Sequence, residues 1–267
     1  MDNQLEIDRD GARTASPEQI AILLYDTRDT ILLGLLENPA FDENHLCLLL
    51  GRKDLPTLLL EEIARHNQWM RSYRVRRALA YHPRVPHNLG LRLARELYVT
   101  DLVQLTILRS AAPEIRHLAE ELILARLPQL PSAQKMTLAR RGPPRIAGAL
   151  LADGEIGVVA VVLDSPFLNE GHVLKALSRI ALPGRVVAAI ADHKRWSHLY
   201  SVRLALLRNS QAPLARLLSF LPSISVTDLR VLSESSATPS NLRPHLRREL
   251  ANRMQHGSLP SKRTRHA

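Results

Sequence analysis

Apolar positions along the chain fall in short bursts at helical spacing, separated by breaks of about six residues in which proline recurs. The strings LLGLLENPAFDENHLCLLL, VRRALAYHPRVPHNLGLRLA, VVAVVLDSPFLNEGHVLKAL and VRLALLRNSQAPLARLLSFL share this plan. Each predicts a short helix, a break and a second helix, the layout of a helical hairpin. Helices of about 8 to 14 residues are marginal alone in water, so such hairpins must be held by lying against one another. Leu, Ala and Arg dominate while aromatic residues make up only 4%. That balance favours helix over sheet, and the pattern predicts an all-α chain.

Punctuation follows the same rhythm. Proline loses no hydrogen bond in a first helical turn, so Pro56, Pro86, Pro113, Pro183, Pro213 and Pro239 read as helix openers. Asp42, Thr100, Ser132, Asn169 and Thr227 are predicted N-caps, and Ser16 with Gln19 a capping box for the helix through IAILLYD.

Residues 36–116 align without a gap to residues 163–243, at a constant offset of 127, with 25 identities in 81 positions. Unrelated stretches would give roughly five, so the sequence predicts a tandem internal duplication. Both loop lengths and helices are kept, as expected where each unit hands its apolar face to the next. Within VRRALAYHPRVPHNLGLRLA and VRLALLRNSQAPLARLLSFL the order is V-R, A-L, a loop with His or Asn, a proline and a leucine-rich helix. This order resembles the leucine-rich repeat variant family, whose layout is similar to HEAT-like repeats, over segments 31–50, 75–94, 158–177 and 202–221. The resemblance implies a right-handed α-solenoid of short hairpins. It does not bring the iron–sulfur module of one family member, because Cys47 is the sole cysteine. Cys47 itself, within LCLLL, is expected to be a small buried apolar residue.

The two tryptophans sit in the duplicated phrase H-x-x-W-x-x-x-Y-x-V-R, formed by His66, Trp69, Tyr73 and Arg76 and again by His193, Trp196, Tyr200 and Arg203. Each histidine is predicted to end a helix and donate to free carbonyls there. Each tryptophan is a wedge between hairpins whose indole N–H reaches a helix-end carbonyl. The rival reading is a stacking platform for bases. Gapless spacing with the apolar residues of each helix favours the wedge. Arg76 and Arg203 are expected to bond across neighbouring repeats. Thr100–Asp101 and Thr227–Asp228 are expected to begin the helices that follow, as caps with an acid in the first turn.

Charge adds a possible partner. The net charge is +10, with −7 in residues 1–50, +9 in 51–150 and +8 in 151–267. A basic body favours an acidic protein face or nucleic acid. The candidate macromolecule-binding residues are Arg71, Arg74, Arg77 and Arg84, with a second group at Arg140, Arg141 and Arg145. No Gly-rich phosphate loop, nucleophile elbow or H-E-x-x-H helix occurs, and the histidines do not pair with acids at metal-ligand spacing. No catalytic, cofactor, metal or small-molecule site is therefore expected.

No apolar run reaches membrane-spanning length, and the acidic start lacks the basic-then-apolar order of a secretory signal, so a cytoplasmic protein without membrane insertion is expected. The sequence thus predicts a disordered start at 1–15, a first solenoid half at 16–126, connecting repeats at 127–162, a second half at 163–254 and a disordered basic tail at 255–267. The expected function is a non-enzymatic scaffold for protein–protein interaction. The alternatives are a nucleic-acid-binding HEAT-like protein and, third, an enzyme on a scaffold similar to that of HEAT-like alkylpurine DNA glycosylases.

Overall fold

The computed structural model describes residues 8–179 and 182–257, which form α-helices and two short 3₁₀ turns, with no strand among them. The chain divides into two compact units, Met1–Arg126 and Leu127–Ala267. The first holds α1 (Arg9–Arg13), α2 (Pro17–Leu23), α3 (Asp29–Leu36), α4 (Glu43–Leu50), α5 (Thr57–Arg65), α6 (Asn67–Arg71), α7 (Tyr73–Tyr81), α8 (His87–Glu96), α9 (Val99–Ile107) and α10 (Pro113–Arg126). The second holds α11 (Ser132–Arg141), α12 (Pro144–Asp153), α13 (Ile156–Leu163), α14 (Glu170–Leu177), α15 (Gly184–Asp192), α16 (Tyr200–Leu207), α17 (Leu214–Phe220), α18 (Val226–Glu234) and α19 (Arg243–Gly257).

Each helix is short because its apolar run is short, and each buries one stripe. In α5, Leu59, Leu60 and Ile63 are fully enclosed, at the i, i+1, i+4 spacing of a single helical face. Burial of such side chains stabilises by about 1.5–3 kcal/mol apiece. Alternate helices lie side by side. In the second unit α11 packs on α13 and α13 on α15, while α12 packs on α14 and α14 on α16. In the first unit α1 packs on α3 and α3 on α5, and α4 packs on α7. At the sequence offset of 127, α3, α4, α5 and α9 have the same bounds as α13, α14, α15 and α18. The stretch equivalent to α6 is a run of turns instead.

A second regularity lies in the polar side chains. In both units they reach back 23 to 33 residues to backbone carbonyls: Asn38 to Ala12 and Ala15, Arg52 to Leu24 and Asp26, His82 to Arg52, Trp196 to Leu163, and Asn209 to Leu177. Most of these carbonyls lie at or just past helix C-termini, where the helix leaves them without a partner.

Several expectations need correction. Residues 9–13 are helical where a disordered start was expected. Asp8 caps α1 at 2.8 Å from the Gly11 N–H, Ala12 is fully buried, and Arg9 and Arg13 both pair with Glu37 at 2.5 and 2.9 Å. The close approach depends on Gly34, whose missing Cβ would sit 2.6 Å from the Arg9 carbonyl oxygen. At the other end α19 runs through Gly257, past the boundary expected at 255; the rest of the basic tail and residues 1–7 lie outside the described residues.

Asp42, Asn169 and the Ser16–Gln19 box cap as expected. Thr100, Ser132 and Thr227 lie inside the first turn, one or two places beyond N-caps Tyr98, Pro131 and Ser225. Pro56, Pro86, Pro183 and Pro213 are themselves N-caps, Pro113 begins α10, and Pro239 opens a turn ahead of α19. Cys47 is half-buried, not enclosed. No helix among the described residues is long and apolar enough to cross a membrane.

Candidate functional site

The duplicated phrase is structural in both units. His66 and His193 are the C-terminal caps of α5 and α15, and both indoles are buried, Trp69 at 6% and Trp196 at 1% exposure. Trp196 Nε1 donates to the Leu163 carbonyl at the end of α13, 2.9 Å away, and the Arg195 guanidinium stacks 4.3 Å above its ring. Trp69 packs edge-on against Phe41 at 5.9 Å, but its buried Nε1 has no acceptor. Neither histidine ring bonds a helix-end carbonyl, as had been expected. His66 faces Glu62 at 3.6 Å, and His193 faces Asp164 at 3.0 Å while accepting the Arg195 N–H. Arg76 donates to Glu96 at 3.0 Å and Arg203 to the Ser197 carbonyl at 2.6 Å, both nearer in the chain than the neighbouring repeat.

Tyr73 and Tyr200 have the role the sequence left open. Each hydroxyl donates to the acid of the V-T-D-L run, Asp101 or Asp228, and accepts the N–H of Tyr98 or Ser225 at 3.0 and 3.1 Å. The tyrosine therefore fastens the start of a helix roughly one hairpin further on, satisfying an N–H that the helix cannot. Burial and the neighbouring Asp101 push the Tyr73 phenol up to about 12. The Tyr200 hydroxyl, with Ser225, holds Asp228 below the usual carboxylate range. Tyr73→Phe should lower stability by about 1–3 kcal/mol, because a charged acceptor and a backbone donor both lose a partner. Tyr200→Phe, at a residue 41% exposed, should cost less. Urea midpoints of the two variants check the order.

The arginine candidates do not assemble into one free ridge. Arg74 meets Glu43 at 3.4 Å and Asn44 at 3.2 Å, Arg77 lies 3.7 Å from Asp101, and Arg84 donates to the Asp54 carbonyl at 2.8 Å. Arg71, at the end of α6, is exposed and bonds to nothing among the described residues. Arg140 and Arg141 are exposed in the last turn of α11, where cations suit the helix dipole, and Arg145 is exposed on α12; all three belong to the second unit.

A cleft of about 500 Å³ opens between α5 and α8, lined by Glu61, Arg65, Pro86, His87, Asn88 and Arg92. Sequence reading singled out none of these as a site. The signal was present: Glu61, His87, Asn88 and Arg92 correspond at the offset of 127 to Ala188, Leu214, Ala215 and Ser219, so the two copies differ where the cleft is polar.

Two further structural arginines were also missed, Arg126 and Arg253. They lie 127 apart and donate to carbonyls of Leu97 and Arg95, and of Ile224 and Leu221, at 2.6 to 2.8 Å. No group of three His, Cys, Asp or Glu side chains able to hold a metal ion occurs among the described residues. No family model, curated protein or solved structure matches this chain.

Proposed function

We propose that the chain is a non-enzymatic helical-repeat scaffold that holds another protein in the cytoplasm. On this reading each unit is a stack of hairpins of the right-handed α-solenoid kind, related by tandem duplication and similar to leucine-rich repeat variant and HEAT-like repeats. One observation supports it above the rest: polar side chains in both units are committed to carbonyls 23 to 33 residues earlier, so they serve the stacking of one hairpin on the next. The shifted ionisations have the same origin. Arg52 draws Asp54 down to about 2, and burial lowers His82, which leaves no mismatched acid and base facing a common cavity.

Affinity capture on the tagged full chain, with and without nuclease, tests the reading. The expected result is a set of protein partners that survives nuclease. Capture that vanishes with nuclease would favour nucleic-acid binding instead, a reading that exposed Arg71, Arg140 and Arg141 and the net charge of +10 support. A phosphate binder should also lose affinity steeply with salt. Release of base from alkylated DNA by the folded chain would favour the enzymatic alternative.

A further inference from the structure

We infer that the cleft between α5 and α8 docks an acidic peptide segment of the protein partner; this rests on the scaffold reading above. The first support is that its polar side chains are idle. Glu61, His87, Asn88 and Arg92 make no hydrogen bond or ion pair among the described residues. Their neighbours are engaged: Arg65 with Glu62 at 3.0 Å, Arg76 with Glu96 at 3.0 Å, and Arg84 with the Asp54 carbonyl at 2.8 Å. In a chain whose polar groups are otherwise used to tie hairpins together, a cleft lined by uncommitted ones has capacity left for a ligand.

The second support comes from the other unit, where the same two-helix arrangement is built without them. α15 and α17 stand at the offset of 127 from α5 and α8, and Pro213 matches Pro86. There Ala188, Leu214, Ala215 and Ser219 replace the four idle residues, and Arg216 bonds Asp192 from one helix to the other. The framework therefore does not require Glu61, His87, Asn88 or Arg92.

Chemistry selects the occupant. The lining sets two guanidiniums and an imidazole against one carboxylate, on a chain of net charge +10 that attracts acidic surfaces from a distance. Arg92 presents a planar fork suited to a side-chain carboxylate. Asn88 offers both a donor and an acceptor, which suits a peptide backbone. The cleft volume lies within the range of about 300–1,000 Å³ typical of small binding pockets, and so suits a few residues of extended chain.

The test uses fluorescence anisotropy of the full chain with three labelled probes: a decapeptide of alternating Glu and Ser, its Lys and Ser counterpart, and a short DNA duplex. The acidic peptide should bind and the basic one should not. Arg92→Glu should weaken the acidic peptide by about tenfold or more, the loss of one charge-assisted contact, and Asn88→Ala by a smaller factor. Both variants should melt like the parent, since neither side chain has a partner to lose.

Arg140→Glu, in the other unit, is the control and should leave affinity unchanged. Equal weakening by Arg92→Glu and Arg140→Glu would overturn the site in favour of diffuse charge attraction. So would tighter DNA than peptide binding that the cleft variants weaken equally. Competition by a synthetic MDNQLEID peptide, together with dimerisation of the free chain, would assign the cleft to a second copy and overturn the partner assignment. If protein capture persists in Arg92→Glu while the peptide probe fails to bind the parent, the scaffold reading stands and the cleft assignment falls.

Discussion

Replacing Trp196 with Ala should destabilise the second unit by about 3–5 kcal/mol, the usual range for truncating a buried aromatic to Ala. The indole is 1% exposed, so nearly all of its area would be lost to a cavity. Its N–H also satisfies the Leu163 carbonyl at 2.9 Å, and its face carries the Arg195 guanidinium at 4.3 Å. The conservative change separates these contributions. Trp196→Phe keeps much of the area but strands the Leu163 carbonyl, adding about 1–3 kcal/mol to the packing loss. Trp69→Phe should be milder, because it removes a buried N–H that has no acceptor to lose.

Each unit holds one tryptophan, so each Phe variant also leaves a single fluorophore reporting on the other unit. Urea melts followed by far-UV circular dichroism give the comparison. Equal costs for the two Phe variants would contradict the role of the Leu163 bond.

The second large effect is expected at His82, which is 3% exposed. The Arg84 N–H donates to Nδ1 at 3.1 Å, which fixes the neutral tautomer that donates from Nε2 to the Arg52 carbonyl at 2.7 Å. His82→Ala leaves both backbone groups without partners, a loss of about 2–5 kcal/mol for two buried groups plus the packing of a ring. The remedy is already present in the other copy. Asn209, at the offset of 127, donates to the Leu177 carbonyl at 3.0 Å and accepts the Gln211 N–H at 2.9 Å. His82→Asn should therefore recover most of the stability that Ala loses.

A pH signature accompanies the rescue. Burial lowers the His82 imidazole below its ordinary 6.5, so the unfolded chain binds the proton first as pH falls. The contribution is intact above about 6.5 and declines as pH drops toward the folded value. His82→Asn should remove that decline, which melts on either side of the window would reveal.

Much of the fold could be read from apolar spacing. The bounds of α4, α5 and α9, the capping residues Ser16, Asp42 and Asn169, and the burial of both indoles follow from local rules that act within one or two turns. What escaped depends on partners distant in sequence. Helix α1 is held by Glu37 and Asn38, residues nearly thirty positions later. Arg74, Arg77 and Arg84 look free in the sequence because Glu43, Asp101 and Asp54, which engage them, lie 24 to 31 positions away. Thr100 and Thr227 resemble caps because the true N-terminal device is a tyrosine hydroxyl arriving from the preceding hairpin. The cleft residues were hidden for a different reason: attention went to what the two copies share, and a ligand site in one copy shows as what they do not share.

Ties that span 23 to 33 residues also set a timetable for synthesis. At about 5–20 residues per second on the ribosome, a carbonyl exposed at the end of one helix waits a few seconds for the side chain that closes it. Exposed apolar faces are thus covered nearly as fast as they emerge, and each nascent hairpin becomes the template on which the next one settles.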